Sequence, residues 1–202
     1  MADFVFDKRF LVDKHIKYAY KIVDNEPVPV DVDNPIEPRK MFIDVEVVSP
    51  AGKFPYPTNA IYPIITIQAM DSITKKIVVF TSDVVPQTND PCHVVCKNEQ
   101  DLIKTFCTYV KHIDPDILCI WNGEQFDIPY LVNRAKNLSV SLRGFSRYGE
   151  PRAEYAQDTA KWSCKVGGRI TLDMMDAFKK YNVGRGLRES YGLKSVIADK
   201  EL

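Results

Sequence analysis

The sequence predicts an α/β fold, a mixed five-stranded sheet in which three antiparallel strands are followed by parallel ones, flanked by helices. Three observations predict it. Residues 41–80 hold three apolar runs joined by short turns, which is the pattern of an antiparallel meander. Residues 99–181 instead alternate apolar runs with segments of helical period, which brings later strands in by crossover. The composition, 45% hydrophobic and 27% charged over 202 residues, suffices for one sizeable core.

Taken in order, residues 4–23 alternate apolar and charged positions and suggest short strands or an extended arm. Pro27, Pro29, Pro35 and Pro38 then deny a regular helix or a central strand. This segment reads as a linker, so residues 1–38 form an arm and the main domain begins at residue 39, with the boundary near Arg39. The run at residues 41–48 reads as a central strand buried on both faces, with Phe42, Asp44, Glu46 and Val48 on one side. Residues 62–70 and 76–80 supply the second and third strands, and the loop at 82–96 reads as irregular. Asn98 caps a helix over residues 99–113, whose apolar positions are Leu102, Ile103, Phe106, Val110 and Ile113. Residues 117–121 form a buried fourth strand, and a turn at 122–127 opens the next helix, with Pro129 in its first turn. The polar stretch 139–168 reads as a protruding loop or hairpin, residues 169–172 as a fifth strand, and residues 174–181 as a helix. A further helix opens near residue 191.

Composition also excludes. The formal net charge is zero with a pI near 6.8, so overall charge gives no sign of nucleic acid and any basic surface has to be local. No apolar run approaches the ~20 residues that span a bilayer, and the N-terminus has no signal-peptide pattern, which points to no membrane and a soluble, cytoplasmic chain. Five cysteines form no even disulfide framework, which suits a reducing compartment. Cys92, His93 and Cys96 lack a second Cys or His pair at finger spacing, so zinc is set aside. His15 and His112 lie among charges and read as solvated.

The chemistry concentrates in acids. Asp44 and Glu46 stand side by side on one face of a strand, where unpaired burial costs several kcal/mol each. A divalent cation between them removes that cost, because hard cations prefer carboxylate oxygens; the plain alternative is that the strand ends at Ile43 and both acids face water. Asp127 sits where the fourth strand gives way to its helix. If the first and fourth strands are neighbours, it faces the ends of Asp44 and Glu46, and three converging acids make a two-ion site for phosphodiester cleavage. The plain alternative for Asp127 is a helix N-cap.

These residues also carry a resemblance. Residues 40–70, with Asp44-Val45-Glu46 and Gly52-Lys53-Phe54-Pro55, resemble the first exonuclease motif of family B DNA polymerases of archaeal and phage type. Residues 121–130, Trp-Asn-Gly-Glu-Gln-Phe-Asp-Ile-Pro-Tyr, with Arg134, are similar to the second. Residues 168–173 and 192–196 are similar to the segments that follow, and residues 7–14 to the arm before the domain. The resemblance covers nearly the whole chain. It implies a ribonuclease-H-like fold and a proofreading 3′–5′ exonuclease that removes 3′-terminal nucleotides with two Mg²⁺ or Mn²⁺ ions. Asp44, Glu46 and Asp127 are then the catalytic metal ligands, and Asn122 and Phe126 contact the single-stranded 3′ end of primer DNA. The remaining polymerase domains of a parent protein are implied partners, and residues 144–167 match a hairpin that helps move the primer.

Two positions depart from the pattern, with Val47 in place of a common threonine and Ile120 in place of a common glycine. The family's third motif, a tyrosine and an aspartate on the final helix, has no counterpart before Leu202. The resemblance therefore implies a chain truncated before that helix. Asp173 and Asp176 match the preceding strand and helix, not the missing ligand. Two other readings compete. A catalytically silent nucleic-acid-binding piece follows from the incomplete acid set, and a stand-alone nuclease acting on RNA is opposed by the proline-rich arm.

Overall fold

The computed structural model describes residues 6–17, 19–31, 37–82, 90–185, 188 and 190–198. Chain contacts divide it into two compact units, residues 1–37 and 38–202.

In the first unit a helix, α1 (Phe6–Asp13), precedes an antiparallel hairpin of β1 (Ala19–Val23) and β2 (Glu26–Val30). Asp24 and Asn25 turn the hairpin at φ 49° and 64°, a left-handed pair that Asp and Asn tolerate. Pro27 and Pro29 sit in β2, which among the described residues has a partner on one side only. The helix differs from the strands or extended arm expected here. Eight residues of mixed polarity fit either period, and Arg9 and Asp13 form an ion pair one helical turn apart at 3.6 Å. Part of the expected linker, residues 32–36, lies outside the described residues.

The second unit is built on six strands: β3 (Lys40–Val47), β4 (Ile64–Asp71), β5 (Ile77–Thr81), β6 (His93–Val95), β7 (Ile117–Ile120) and β10 (Ile170–Asp173). Their order is β10-β7-β3-β4-β5-β6. β3, β4 and β5 form the antiparallel meander, and β7 runs parallel to both β3 and β10. The sheet has one strand more than the sequence predicts. β6 pairs in parallel with β5 over only three residues, too few to show a period.

β3 is central, but only one of its faces is fully buried. Met41, Ile43 and Val45 are inside, whereas Phe42 is half-buried and Asp44 and Glu46 are exposed. The buried side meets two amphipathic helices, α2 (Glu99–Ile113) and α3 (Asp127–Asn137), through Leu102, Phe106, Val110, Ile128 and Leu131. Each such side chain contributes roughly 1.5–3 kcal/mol by leaving water. α2 begins as expected, with Asn98 accepting from the Asp101 N–H. α4 (Met174–Tyr181) and α5 (Leu193–Ala198) complete the helices, and β8 (Arg152–Ala156) with β9 (Lys161–Lys165) forms a separate antiparallel hairpin.

Arginines brace the amino ends of β3, β7 and β10. Arg39 donates twice to the fully buried Asp71, at 2.9 and 2.8 Å. Arg147 reaches Asp114 at 2.7 Å and Asp116 at 3.0 Å, and the buried Arg169 pairs with Asp114 at 2.9 Å.

Candidate active site at the carboxyl ends of the strands

The site follows from a difference in strand length. The β3–β7 pairing ends at Ile43 and Ile120, so Asp44 and the residues after it have no strand neighbour on that side. Beyond β7 the chain turns through residues 121–126 and returns as α3, which sets Asp127 against this open edge. There the Val45 N–H donates to Asp127 Oδ1 at 3.1 Å, joining residues 82 positions apart. Asp127 is the first residue of α3, with Phe126 at the N-cap, and its carboxylate reaches across to β3. The helix amino end favours a negative charge there.

The turn needs its sequence. Asn122 adopts φ 58°, and its carbonyl accepts from the N–H groups of Gln125 and Phe126. A Cβ on Gly123 would lie 2.2 Å from Ile120 Cγ2, so no larger residue fits. Asp173 accepts from the N–H groups of Asn122, Glu124, Met175 and Asp176, which ties this turn to the start of α4. Sequence reasoning kept Asp173 from the ligand set, and its place just before a helical pattern is the signal of the cap it makes. Trp121 Nε1–H donates to the Tyr191 carbonyl at 3.0 Å and closes a further side, a contact between residues 70 apart that no local pattern signals.

Together these elements enclose an open cleft of about 540 Å³ lined by Asp44, Glu46, Trp121, Asn122, Phe126 and Asp127, among others. Phe126 is half-buried, and its ring meets Tyr130 at 5.5 Å and Phe54 at 6.0 Å. Phe54 and Tyr56 are exposed beside it, with ring centroids 5.0 Å apart.

Electrostatics sets the acids apart from the braced ones. Asp127 is only 6% exposed, and its carboxyl is pushed up to about 7, first by burial and then by the charge of Asp44. Asp44 is exposed as a whole residue, but partial desolvation of its carboxyl on the cleft side raises it as well. Among the described residues no Lys, Arg or His forms an ion pair with Asp44, Glu46 or Asp127. The structure thus brings Asp44 and Asp127 together and puts Glu46 two residues further along the same cleft. It does not gather all three: among the described residues no group of three His, Cys, Asp or Glu is placed to hold a metal ion. The donors present, all carboxylate oxygens with no competing cation, have the chemistry that a hard divalent ion requires. The Cys92, His93 and Cys96 cluster makes no site either, with Cys92 exposed and Cys96 buried.

A mixed α/β sheet flanked by helices, with unpaired carboxylates outside the carboxyl ends of its parallel strands, defines a ribonuclease-H-like exonuclease fold. The family model for the exonuclease domain of DNA polymerase family B matches residues 4–196, and the chain belongs to that family. It is 27% identical to a DNA polymerase of Pyrococcus glycovorans over 178 residues, 88% of this chain and 20% of the relative. It is also 27% identical to a DNA polymerase of Thermococcus aggregans over 180 residues, 88% of this chain and 8% of the relative. With that of Thermococcus kodakarensis it shares 26% identity over 178 residues, 88% of this chain and 9% of the relative. The chain therefore spans a fifth or less of the length of these relatives. Among the described residues no helix is long and apolar enough to cross a membrane.

Proposed function

We propose that this chain is the proofreading part of a longer family B DNA polymerase and hydrolyses 3′-terminal nucleotides from the single-stranded end of primer DNA. One observation carries the reading. A buried carboxylate with its pKa raised to about 7 faces a second carboxylate in an open cleft, and among the described residues neither has a basic ion-pair partner. Such a pair is costly for folding, and perturbed acids without a structural partner mark functional sites.

Exonuclease domains of this family generally use divalent metals. Here Asp44 and Asp127 would hold the cation, with Glu46 joining by rotation of its exposed side chain. When bound, Mg²⁺ or Mn²⁺ lowers the pKa of water and offsets charge on the departing oxygen. The chain's own residues do the rest. Asp127 would have to give up the proton it holds near neutrality to serve as a ligand. Asn122 lines the cleft from its left-handed turn and offers its amide to the terminal nucleotide. Phe126, backed by Tyr130 and flanked by Phe54, gives the terminal base an apolar wall. The hairpin of β8 and β9 lies within residues 144–167, and on this reading it would help move the primer.

The second reading, a nucleic-acid-binding piece that does not cleave, is favoured by the failure of the three acids to gather. A Mn²⁺-dependent assay on 3′-labelled single-stranded DNA separates the two, with Asp44→Ala as control. Stepwise shortening by the unaltered chain alone supports the exonuclease. Equal background from both proteins supports the silent piece.

A further inference from the structure

The turn bearing Asn122, Phe126 and Asp127 is fastened to its surroundings on several sides, and one fastening leads away from the cleft. In the β8–β9 hairpin Trp162 stands opposite Tyr155, their rings 5.2 Å apart. The Trp162 N–H donates to Gln125 Oε1 at 3.0 Å, and Gln125 Nε2–H donates to the Trp162 carbonyl at 3.3 Å. This is the two-bond exchange that a neighbouring strand residue would make, supplied by a side-chain amide. Residues two apart on a strand share a side, and at Cys164 the thiol donates to the Glu124 carbonyl at 3.4 Å. The turn is therefore bound to β9 at two residues, Trp162 and Cys164. Glu124 adds a separate tie, accepting from Thr171 Oγ1 on β10 at 2.9 Å.

We infer that Gln125 is a positioning residue: by gripping the Trp162 backbone it locks the turn to the β8–β9 hairpin, so that a displacement of the hairpin moves Asp127 relative to Asp44. The lever is short, because Gln125 lies two positions before Asp127. At its far end Asp127 meets β3 by accepting from the Val45 N–H. A strand of nucleic acid pressing on the hairpin would thereby reach the carboxylates. The kinetic consequence rests on the exonuclease reading, whereas the mechanical link does not.

Amide hydrogen exchange on the whole chain, read by NMR without metal, tests it. In Gln125→Leu the amides of Trp162 and Val45 are expected to exchange about tenfold faster, while those inside the β3–β4 ladder keep their rates. Gln125→Glu keeps the acceptor and loses the donor, so Val45 should speed up about threefold. That milder variant carries the test alone if the leucine variant does not fold. Faster exchange at Trp162 with Val45 unchanged would overturn the inference, as would equal loss of protection at all amides. With cleavage measured on single-stranded DNA in Mn²⁺, kcat of Gln125→Leu should fall about tenfold with KM within about twofold. An unchanged kcat would also overturn it. If the unaltered chain cleaves no better than Asp44→Ala, the exonuclease reading fails while the amide pattern still decides the link.

Discussion

At the amino ends of β3, β7 and β10, Asp71, Asp114 and Asp116 each sit against an arginine; at the carboxyl ends of the same strands, Asp44, Glu46 and Asp127 have none among the described residues. The consequences are opposite. The Arg39 guanidinium holds Asp71 well below the usual carboxylate range, and Arg147 lowers Asp114. Burial and the neighbouring charge push Asp127 up instead. One end uses acids to hold the fold. The other keeps acids that cost stability, which is the expected trade where a site must bind something the chain does not provide.

Four changes break or sharpen this contrast, from the largest expected effect to the smallest. Asp44→Ala should reduce Mn²⁺-dependent cleavage of single-stranded DNA by about three orders of magnitude or more, with an unchanged or raised Tm. Loss of both fold and activity would erase the distinction between the two ends. Asp71→Ala should do the reverse. It strands Arg39 beside a buried site and should cost roughly 3–5 kcal/mol in urea unfolding.

The third prediction concerns pH. The folded-state pKa of Asp127, about 7, lies above its ordinary value of 3.8, so between these values the folded chain binds a proton that the unfolded chain does not. Stability of the metal-free chain should therefore fall as pH rises from about 4 to about 8, by a few kcal/mol in all. Asp127→Asn should flatten the slope. The lowered acids of the opposite end act below their ordinary value of 3.8 and do not share the window. A profile that rises from pH 4 to 8 would contradict the assignment. Smallest is Arg147→Ala, which removes partly exposed ion pairs and should cost about 1 kcal/mol or less, with cleavage untouched.

Much of this was legible in the sequence, for physical reasons. The meander, the two main helices and the central strand announce themselves by long periods of apolar residues, and the acids at 44, 46 and 127 stood out because they break those patterns. α1 and β6 were missed because eight and three residues carry too little period. The half-open face of β3 was also missed, since an apolar run cannot say whether a second layer covers it. Pairings across long separations were beyond reach. Neither Gln125 with Trp162 nor Trp121 with Tyr191 has a local signature, and whether three acids gather depends on side-chain rotation.

Carboxyl-carbon NMR of Asp127, titrated with and without Mg²⁺, tests most directly whether the unpaired acids form a cation site. The account predicts an apparent pKa of about 7 without the ion and a drop of at least about two units when it is added. An ordinary carboxylate value that Mg²⁺ leaves unmoved would contradict it.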